Sequence, residues 1–266
     1  MLLEHIHFIY LALLLVIGHI VSLHSTTLSL KFGITQMAKT FISIKCLNCT
    51  CMSGPFQKLT AEELELIDKN RTEISYRKGE TMCKQGSFIS NMMFIRKGLA
   101  KIYLEDGQRP VMLSLAGQGS FIGLPSLFGA GIYHYTVEAL EDTEVCLVDI
   151  HTFRKMLKSN AEFTTAVLEK VNGELVETFN RLHFATNKQI NSRFAELLLH
   201  LSKHIFKNNP FKNSLARKDM ADMIYSSQES ISRLIKEFKS KGLIDTKGNT
   251  IEILDEVELS KISESE

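Results

Sequence analysis

The sequence predicts an α+β chain: an N-terminal antiparallel β-barrel, then one long helix, then a C-terminal helix pair closed by a hairpin. Three observations carry that expectation. Nine of the 15 glycines fall within residues 71–153, where short strand-like pieces alternate with turns. Apolar residues then recur at alternating steps of three and four over residues 160–185. Beyond residue 216, two helical stretches meet at a tight turn and run into two short strand pieces. A length of 266 residues suits two domains, at roughly 100 to 200 residues each.

The first 36 residues stand apart. Residues 8–23 (FIYLALLLVIGHIVSL) are apolar except at Gly18, His19 and Ser22. A membrane helix needs about 20 apolar residues, so this run is slightly short. A signal peptide needs a basic start and a small-residue cleavage site. MLLEHIH carries no Lys or Arg, and SLHSTTLSL offers no A-x-A. A membrane anchor, a poor signal peptide and sequence upstream of a later start at Met37 (MAKTF) all compete. The third is favoured, because everything after Met37 reads as an intracellular protein. Residues 1–36 are expected outside the fold, the chain in the cytoplasm, and a membrane is not an expected partner.

The barrel expectation rests on the pieces MMFIRKG, LAKIYLEDG, VMLSLAGQG, SFIGLPSLFG, YHYTVEALED and TEVCLVDI. Glycine at this density marks tight corners between short strands, the pattern of an antiparallel sandwich or barrel. The domain is expected to span residues 46–158. Gly117, Gly119 and Gly123 superficially suggest a dinucleotide fingerprint, but the spacing is wrong and no strand-turn-helix unit surrounds them.

From residue 160 the period becomes helical. Leu168, Val171, Leu175, Thr178 with Phe179, and Leu182 trace a coiled-coil seam. A helix packed on its own domain would show some of this pattern. The seam favours a dimerisation helix over residues 160–186. A second helix is expected over 191–204, with Phe194, Leu197, Leu198 and Leu201 on one face.

The last segment, residues 187–260, carries the most specific signal. RKDMADMI (217–224) reads as a short helix, Tyr225, Ser226 and Ser227 as turn and N-cap, and residues 228–241 as a longer helix. Ile231, Leu234, Ile235 and Phe238 sit at i, i+3, i+4 and i+7, one buried stripe. Gln228, Glu229, Ser232 and Arg233 project together off that stripe. Two helices joined by a tight turn form a helix-turn-helix, whose second helix meets base edges with its N-terminal side chains. Small Ala221 lets the helices approach. LIDT, a turn at Lys247, Gly248 and Asn249, and TIEIL form the wing of a winged helix.

The chemistry follows from the residue types. Arg233 can donate two hydrogen bonds to guanine O6 and N7, and Glu229 can accept from cytosine N4. Four residues apart, they can also hold each other in register. Arg217 and Lys218 suit phosphate contacts that position without reading sequence. Blander roles exist: Glu229 closing a capping box with Ser226, and Arg233 as a solvated charge. Both fall on the exposed face of a recognition helix, which favours base contact.

Composition bounds the rest. With 31 basic and 30 acidic side chains, the net charge of +1 excludes nucleic-acid binding by bulk positive charge, though not through a small basic face. The content of 44% hydrophobic and 23% charged residues is globular. Five cysteines are too few and too unevenly placed for a disulfide scaffold. Cys46, Cys49 and Cys51 cluster, which reads as ligation or redox chemistry before cross-linking.

Gln228 to Arg233 (QESISR), the preceding ARKDMA and the wing resemble the CRP/FNR family of bacterial transcription regulators. KGE (78–80), KQG (84–86), IRKG (95–98) and GSFIG (119–123) extend the likeness, which runs from residue 46 to the C-terminus. The resemblance implies a cyclic-nucleotide-binding-like sensor with double-stranded β-helix topology. It also implies a homodimer, a palindromic double-stranded DNA site, RNA polymerase as a partner, and base reading by Glu229, Ser232 and Arg233. Ala216 departs from relatives with a capping Ser or Thr there, at a cost of up to about 1 kcal/mol.

The sensed signal is less specified. Cyclic-nucleotide binders of the family hold ribose and phosphate with a Gly-Glu motif and a downstream Arg. Here IGLPSLFGAGIYHYTVEAL (122–140) contains no Arg, and Glu138 comes too late. A buried phosphate without a cation is costly, so the sequence argues against cAMP. The family's FNR branch holds a [4Fe–4S] cluster on three N-terminal cysteines and one barrel cysteine. Cys46, Cys49, Cys51 and Cys146 are the matching candidates, with Cys51 a few residues too early. A zinc knuckle, which lacks a second Cys or His pair nearby, a thiol switch and cysteines without a role remain open. Buried free cysteine is the best account of Cys83 and a fair one of Cys146. His134, between Tyr133 and Tyr135, is a weak candidate haem ligand. No G-x-S-x-G, Walker loop or H-E-x-x-H supports an enzyme. The expectation is a DNA-binding transcription regulator whose sensor reorients paired recognition helices. The alternative is a membrane-anchored ligand-binding barrel without DNA binding.

Overall fold

The computed structural model describes residues 45–49, 52, 54–105, 107 and 110–265, with the backbone alone at 185–187. The N-terminal extension, the apolar run, Met37 and Cys51 lie outside the described residues.

The sensor opens with a helix that the strand pattern did not anticipate. Helix α1 (Ala61–Lys69) starts at Thr60, whose hydroxyl accepts from Glu63 N at 3.3 Å while the Glu63 carboxylate accepts from Thr60 N at 2.9 Å. That capping box satisfies two otherwise orphaned donors. Eight strands follow: β1 (Arg71–Tyr76), β2 (Thr81–Cys83), β3 (Asn91–Lys97), β4 (Ala100–Leu104), β5 (Val111–Ala116), β6 (Phe121–Ile122), β7 (Thr136–Ala139) and β8 (Thr143–Asp149). They form two four-stranded antiparallel sheets, ordered β1-β8-β3-β6 and β2-β7-β4-β5, rather than a closed barrel. Both sheets contribute to one core, including Met92, Ile95 and Val145 from the first and Ala100 and Val137 from the second.

SFIGLPSLFG supplies only the two residues of β6, for a local reason. Gly123 adopts φ +109°, and a Cβ there would lie 2.8 Å from Ile89 Cδ1. A short 3₁₀ turn at Leu124–Ser126, containing Pro125, then ends the strand. Residues 150–158, expected within the barrel, are helical instead: α2 (Ile150–Ser159) is N-capped by Asp149, which accepts from Thr152 N at 2.8 Å.

Helix α3 (Ala161–Asn187) is N-capped by Asn160, which accepts from Phe163 N at 2.9 Å. Its first turns are anchored where Phe163 packs on Phe56 and Phe153, with ring centroids 6.1 and 5.5 Å away. Helix α4 (Ile190–His200) continues through one π turn, Leu201–Ile205, and buries Phe194, Leu197, Leu198 and Leu201 as expected. Then come β9 (Phe211–Lys212), α5 (Arg217–Met223), α6 (Gln228–Ser240), β10 (Ile244–Lys247), β11 (Thr250–Ile253) and α7 (Glu256–Glu264). The wing is a three-stranded sheet, β10-β11-β9, turning at Gly248 with φ +59°. Within the winged helix two elements were not expected: β9, and α7, whose Leu259 is fully buried. The winged-helix core also contains Leu99, Met112 and Leu140 of the sensor.

Candidate functional site

Helix α6 presents two faces. Ile231, Leu234, Ile235 and Phe238 are buried and hold it against α4, where the Phe194 and Phe238 rings meet edge to face at 5.1 Å. The opposite face, with Arg217 from α5, lines an exposed groove: Arg217, Gln228, Glu229, Ser232, Arg233 and Lys236. The structure thus brings together five of the six residues expected to contact DNA. Lys218 is exposed on the first turn of α5, outside that lining. Lys236 was missed, although Glu229, Ser232, Arg233 and Lys236 repeat the i, i+3, i+4, i+7 spacing that revealed the apolar stripe.

The start of α6 corrects one local reading. Ser227, not Ser226, is the N-cap, and its hydroxyl accepts from Ser230 N at 3.2 Å. Glu229 therefore does not close a box with Ser226. Its own backbone N–H, followed by the Ser227 hydroxyl, holds its carboxyl below the usual range. Ser232 Oγ donates to Gln228 O at 3.0 Å. Among the described residues no ion pair joins Glu229 to Arg233, and both line the groove.

Helix α5 is fixed by a different route. Ala216 offers no capping oxygen, but the Asp219 carboxylate accepts from Ala216 N at 3.0 Å. The same carboxylate meets Lys101 Nζ of β4 at 3.1 Å, and Lys101 also meets Glu138 of β7 at 3.0 Å. Burial alone would lower the pKa of Lys101; the two carboxylates outweigh it and hold it above its ordinary value. Ser214 Oγ donates to Glu141 at 2.6 Å beside this contact. The sensor therefore touches the first helix of the helix-turn-helix at its N-terminal turn.

A second site lies at the other end of the sensor. Cys46, Cys49 and Cys146 line one pocket with Met52, Phe56, Leu64, Ile67, Phe94 and Val148, and with Arg71. Cys146 sits on β8, about 100 positions from the other two, so only the fold brings the sulfurs together. Arg71 Nη1 donates to Cys146 Sγ at 3.5 Å, and Asp68 accepts from Cys46 N at 3.1 Å. Burial pushes the Cys46 thiol up to about 12 against the opposing pull of Arg71, and raises Cys146 in the same way. In kind, sulfurs in an apolar pocket suit a thiolate-held group, although the Arg71 guanidinium beside them is already paired with Asp68 at 2.8 Å and Glu73 at 2.6 Å. Among the described residues, however, no three His, Cys, Asp or Glu side chains group as metal ligands.

Residues 122–140, which contain no Arg or Lys, place two tyrosines in the sensor core. Tyr133 and Tyr135 are buried there; Tyr133 donates to Asn91 O at 3.1 Å and Tyr135 Oη accepts from Gly123 N at 2.9 Å. His134, between them, is exposed. Cys83 is buried, its thiol pushed by that burial to about 12. Along α3 the expected seam is exposed: Leu168 at 59%, Phe179 at 59% and Leu182 at 64%, with Val171 and Leu175 beside them. Among the described residues no helix is long and apolar enough to cross a membrane.

Comparison with known proteins agrees with this layout. A family model described as a cyclic nucleotide-binding domain matches residues 73–160, and one described as a Crp-like helix-turn-helix domain matches residues 192–262. The chain is 24% identical over 222 residues to the fumarate and nitrate reduction regulatory protein of Escherichia coli, covering 79% of this chain and 87% of that protein. It is 22% identical over 192 residues to the transcriptional activator protein FnrA of Stutzerimonas stutzeri, covering 70% and 78%. Among solved structures, FixK2 from Bradyrhizobium japonicum shares the fold, with a TM-score of 0.68 and 21% identity over 74% of this chain and 98% of that one.

Proposed function

This chain belongs to the CRP/FNR family of transcription regulators, and we propose on that premise that a dimer of it reads a palindromic DNA site with the exposed face of α6. It pairs a helix-turn-helix DNA-binding domain with a sensory domain of cyclic-nucleotide-binding type, and its relatives are regulators rather than enzymes. One observation carries the finer reading: the candidate base-reading side chains and Arg217 line a single exposed groove. In the major groove, Arg233 donates to guanine O6 and N7, and Glu229 accepts from cytosine N4. Gln228 and Ser232 lie beside them for adjacent base edges. Arg217, Lys218 and Lys236 suit phosphates, which fix register without reading sequence.

The exposed α3 seam supports pairing of two chains, since contiguous apolar side chains on a helix favour a partner over water. Two copies of α6 would then face half-sites about one helical turn apart. The same reading places the chain in the cytoplasm with its DNA and makes RNA polymerase its partner at a promoter. A membrane-anchored barrel without DNA binding gives no role to the α6 groove.

For the sensor, Cys46, Cys49 and Cys146, with Cys51, would hold a [4Fe–4S] cluster. Such a cluster supplies a redox-responsive centre. The chain's own contribution is to bring the Cys46, Cys49 and Cys146 thiols to one pocket, exclude water with Phe56, Leu64 and Phe94, and direct an Arg71 N–H at Cys146 Sγ. cAMP is not the proposed signal, because no Arg or Lys lies within residues 122–140 and the tyrosine hydroxyls there are engaged.

Selection of bound duplexes from a random library by the full chain tests the DNA reading. Enrichment of an inverted repeat with half-sites about 10 base pairs apart is expected; enrichment of no sequence overturns it. Anaerobic purification with iron and sulfide assays tests the cluster. Near-stoichiometric iron and sulfide, lost in Cys146→Ser, is expected, and a metal-free protein removes the cluster while leaving the DNA reading intact.

A further inference from the structure

A cavity of about 310 Å³ lies where sensor, long helix and winged helix meet. Strand β5 contributes Leu115, α3 contributes Arg181, α4 contributes Arg193 and His200, and the turn between α5 and α6 contributes Tyr225. This volume falls in the range of small-molecule sites. Neither the groove on α6 nor the cysteine pocket includes any of these residues.

The two arginines set its chemistry. Arg181 Nη1 donates to Leu113 O of β5, and Arg193 Nη1 donates to Ile224 O, the carbonyl just past α5, at 2.8 Å. Yet Arg181 Nη2 and Arg193 Nε are buried without a hydrogen-bond partner. Among the described residues neither guanidinium is in an ion pair. Buried donors left unmatched are rare and ask for an explanation. Burial holds Arg181 below its ordinary pKa against the opposing pull of Tyr225 and Glu177, so its charge is offset only at a distance and not by a bonded carboxylate. Two arginines converging from different helices supply the planar donors that a carboxylate accepts.

The remaining lining narrows the ligand. Leu115, Phe184, Leu197 and Met223 give the cavity an apolar side. Glu177 and Glu196 also line it, both are exposed, and Glu196 meets Lys188 at 3.6 Å. Two carboxylates at the mouth disfavour a polyanion. We propose that this junction binds a small organic monoanion, a carboxylate on a compact apolar body, between Arg181 and Arg193. The ligand would join donors that already grip β5 and the end of α5, and so fix how α6 is presented relative to α3. Its regulatory consequence rests on the DNA-binding reading; the binding itself does not.

Titration calorimetry of the full chain, without DNA, tests it with three probes: benzoate, the uncharged isostere benzamide, and inorganic phosphate. Benzoate is expected to bind once per chain, at least tenfold more tightly than benzamide, and Arg193→Gln and Arg181→Gln are each expected to weaken it at least tenfold. Thermal melting confirms that each variant folds; if Arg181→Gln does not, Arg193→Gln decides alone. Arg193→Lys should retain only part of the affinity, because a lysine cannot reproduce the planar fork. Benzamide binding as well as benzoate, or benzoate affinity unmoved in Arg193→Gln, overturns the proposal, as does the absence of heat with benzoate. Phosphate binding more tightly than benzoate overturns the apolar body. A chain that binds benzoate but selects no DNA palindrome keeps this site and loses the DNA reading; the reverse result does the opposite.

Discussion

Helices α6 and α3 carry apolar stripes written in the same spacing, yet the two stripes have opposite fates. On α6, Ile231, Leu234, Ile235 and Phe238 are at most 5% exposed, each covered by other parts of the same chain. On α3, Leu168, Leu175, Phe179 and Leu182 are at least 46% exposed beyond the point where Phe163 and Val167 enter the sensor core. Helical period states that a face will be covered. It does not state by what. The difference separates residues whose removal should unfold the chain from residues whose removal should separate two chains.

That distinction can be broken or sharpened by substitution. Phe238→Ala should cost about 3–5 kcal/mol of stability, as a fully buried aromatic ring is lost; chemical denaturation reads this directly. Leu175→Glu should leave monomer stability within about 0.5 kcal/mol. It should weaken the proposed dimer at least about a hundredfold, near 3 kcal/mol, in sedimentation. If Leu175→Glu instead unfolds the chain as Phe238→Ala does, the two stripes are alike and the contrast fails. Arg233→Ala, on the polar face of the same α6, should leave the fold unchanged and cost about 1–3 kcal/mol of discrimination at one base pair, read by competition between selected and altered duplexes. Ala216→Ser should be the smallest effect. A hydroxyl beside Asp219 N would stabilise the start of α5 by about 0.5–1 kcal/mol in thermal melts.

What was legible in the sequence was local. The α5–turn–α6 unit, the wing and the α3 seam depend on residues within one or two turns of each other, and the groove residues share one helix face. Lys236 was equally legible, as was the capping box of Thr60 and Glu63, since both follow fixed short spacings. Contacts between distant positions were not. Lys101 and Asp219 are 118 positions apart, and a lysine in a strand carries no mark of the carboxylate it will meet. The pocket joining Cys46 and Cys49 to Cys146 likewise exists only through the pairing of β1 with β8 and the packing of α1 beneath it; family likeness, not spacing, suggested it. Helix α7 escaped because Leu259 and Ile262 alone give too short a stripe to separate from a tail.

The winged helix does not own its whole core. Leu99, Met112 and Leu140 belong to the sensor by chain position, yet they pack among the same side chains as Phe194, Met220 and Leu234. The chain is modular in its order of parts, but its parts are not interchangeable. A chimera that grafts this winged helix onto another sensor inherits an apolar face shaped for three particular side chains. Unless the new sensor supplies them, that face meets water, and the graft should lose solubility before it loses any base-reading residue.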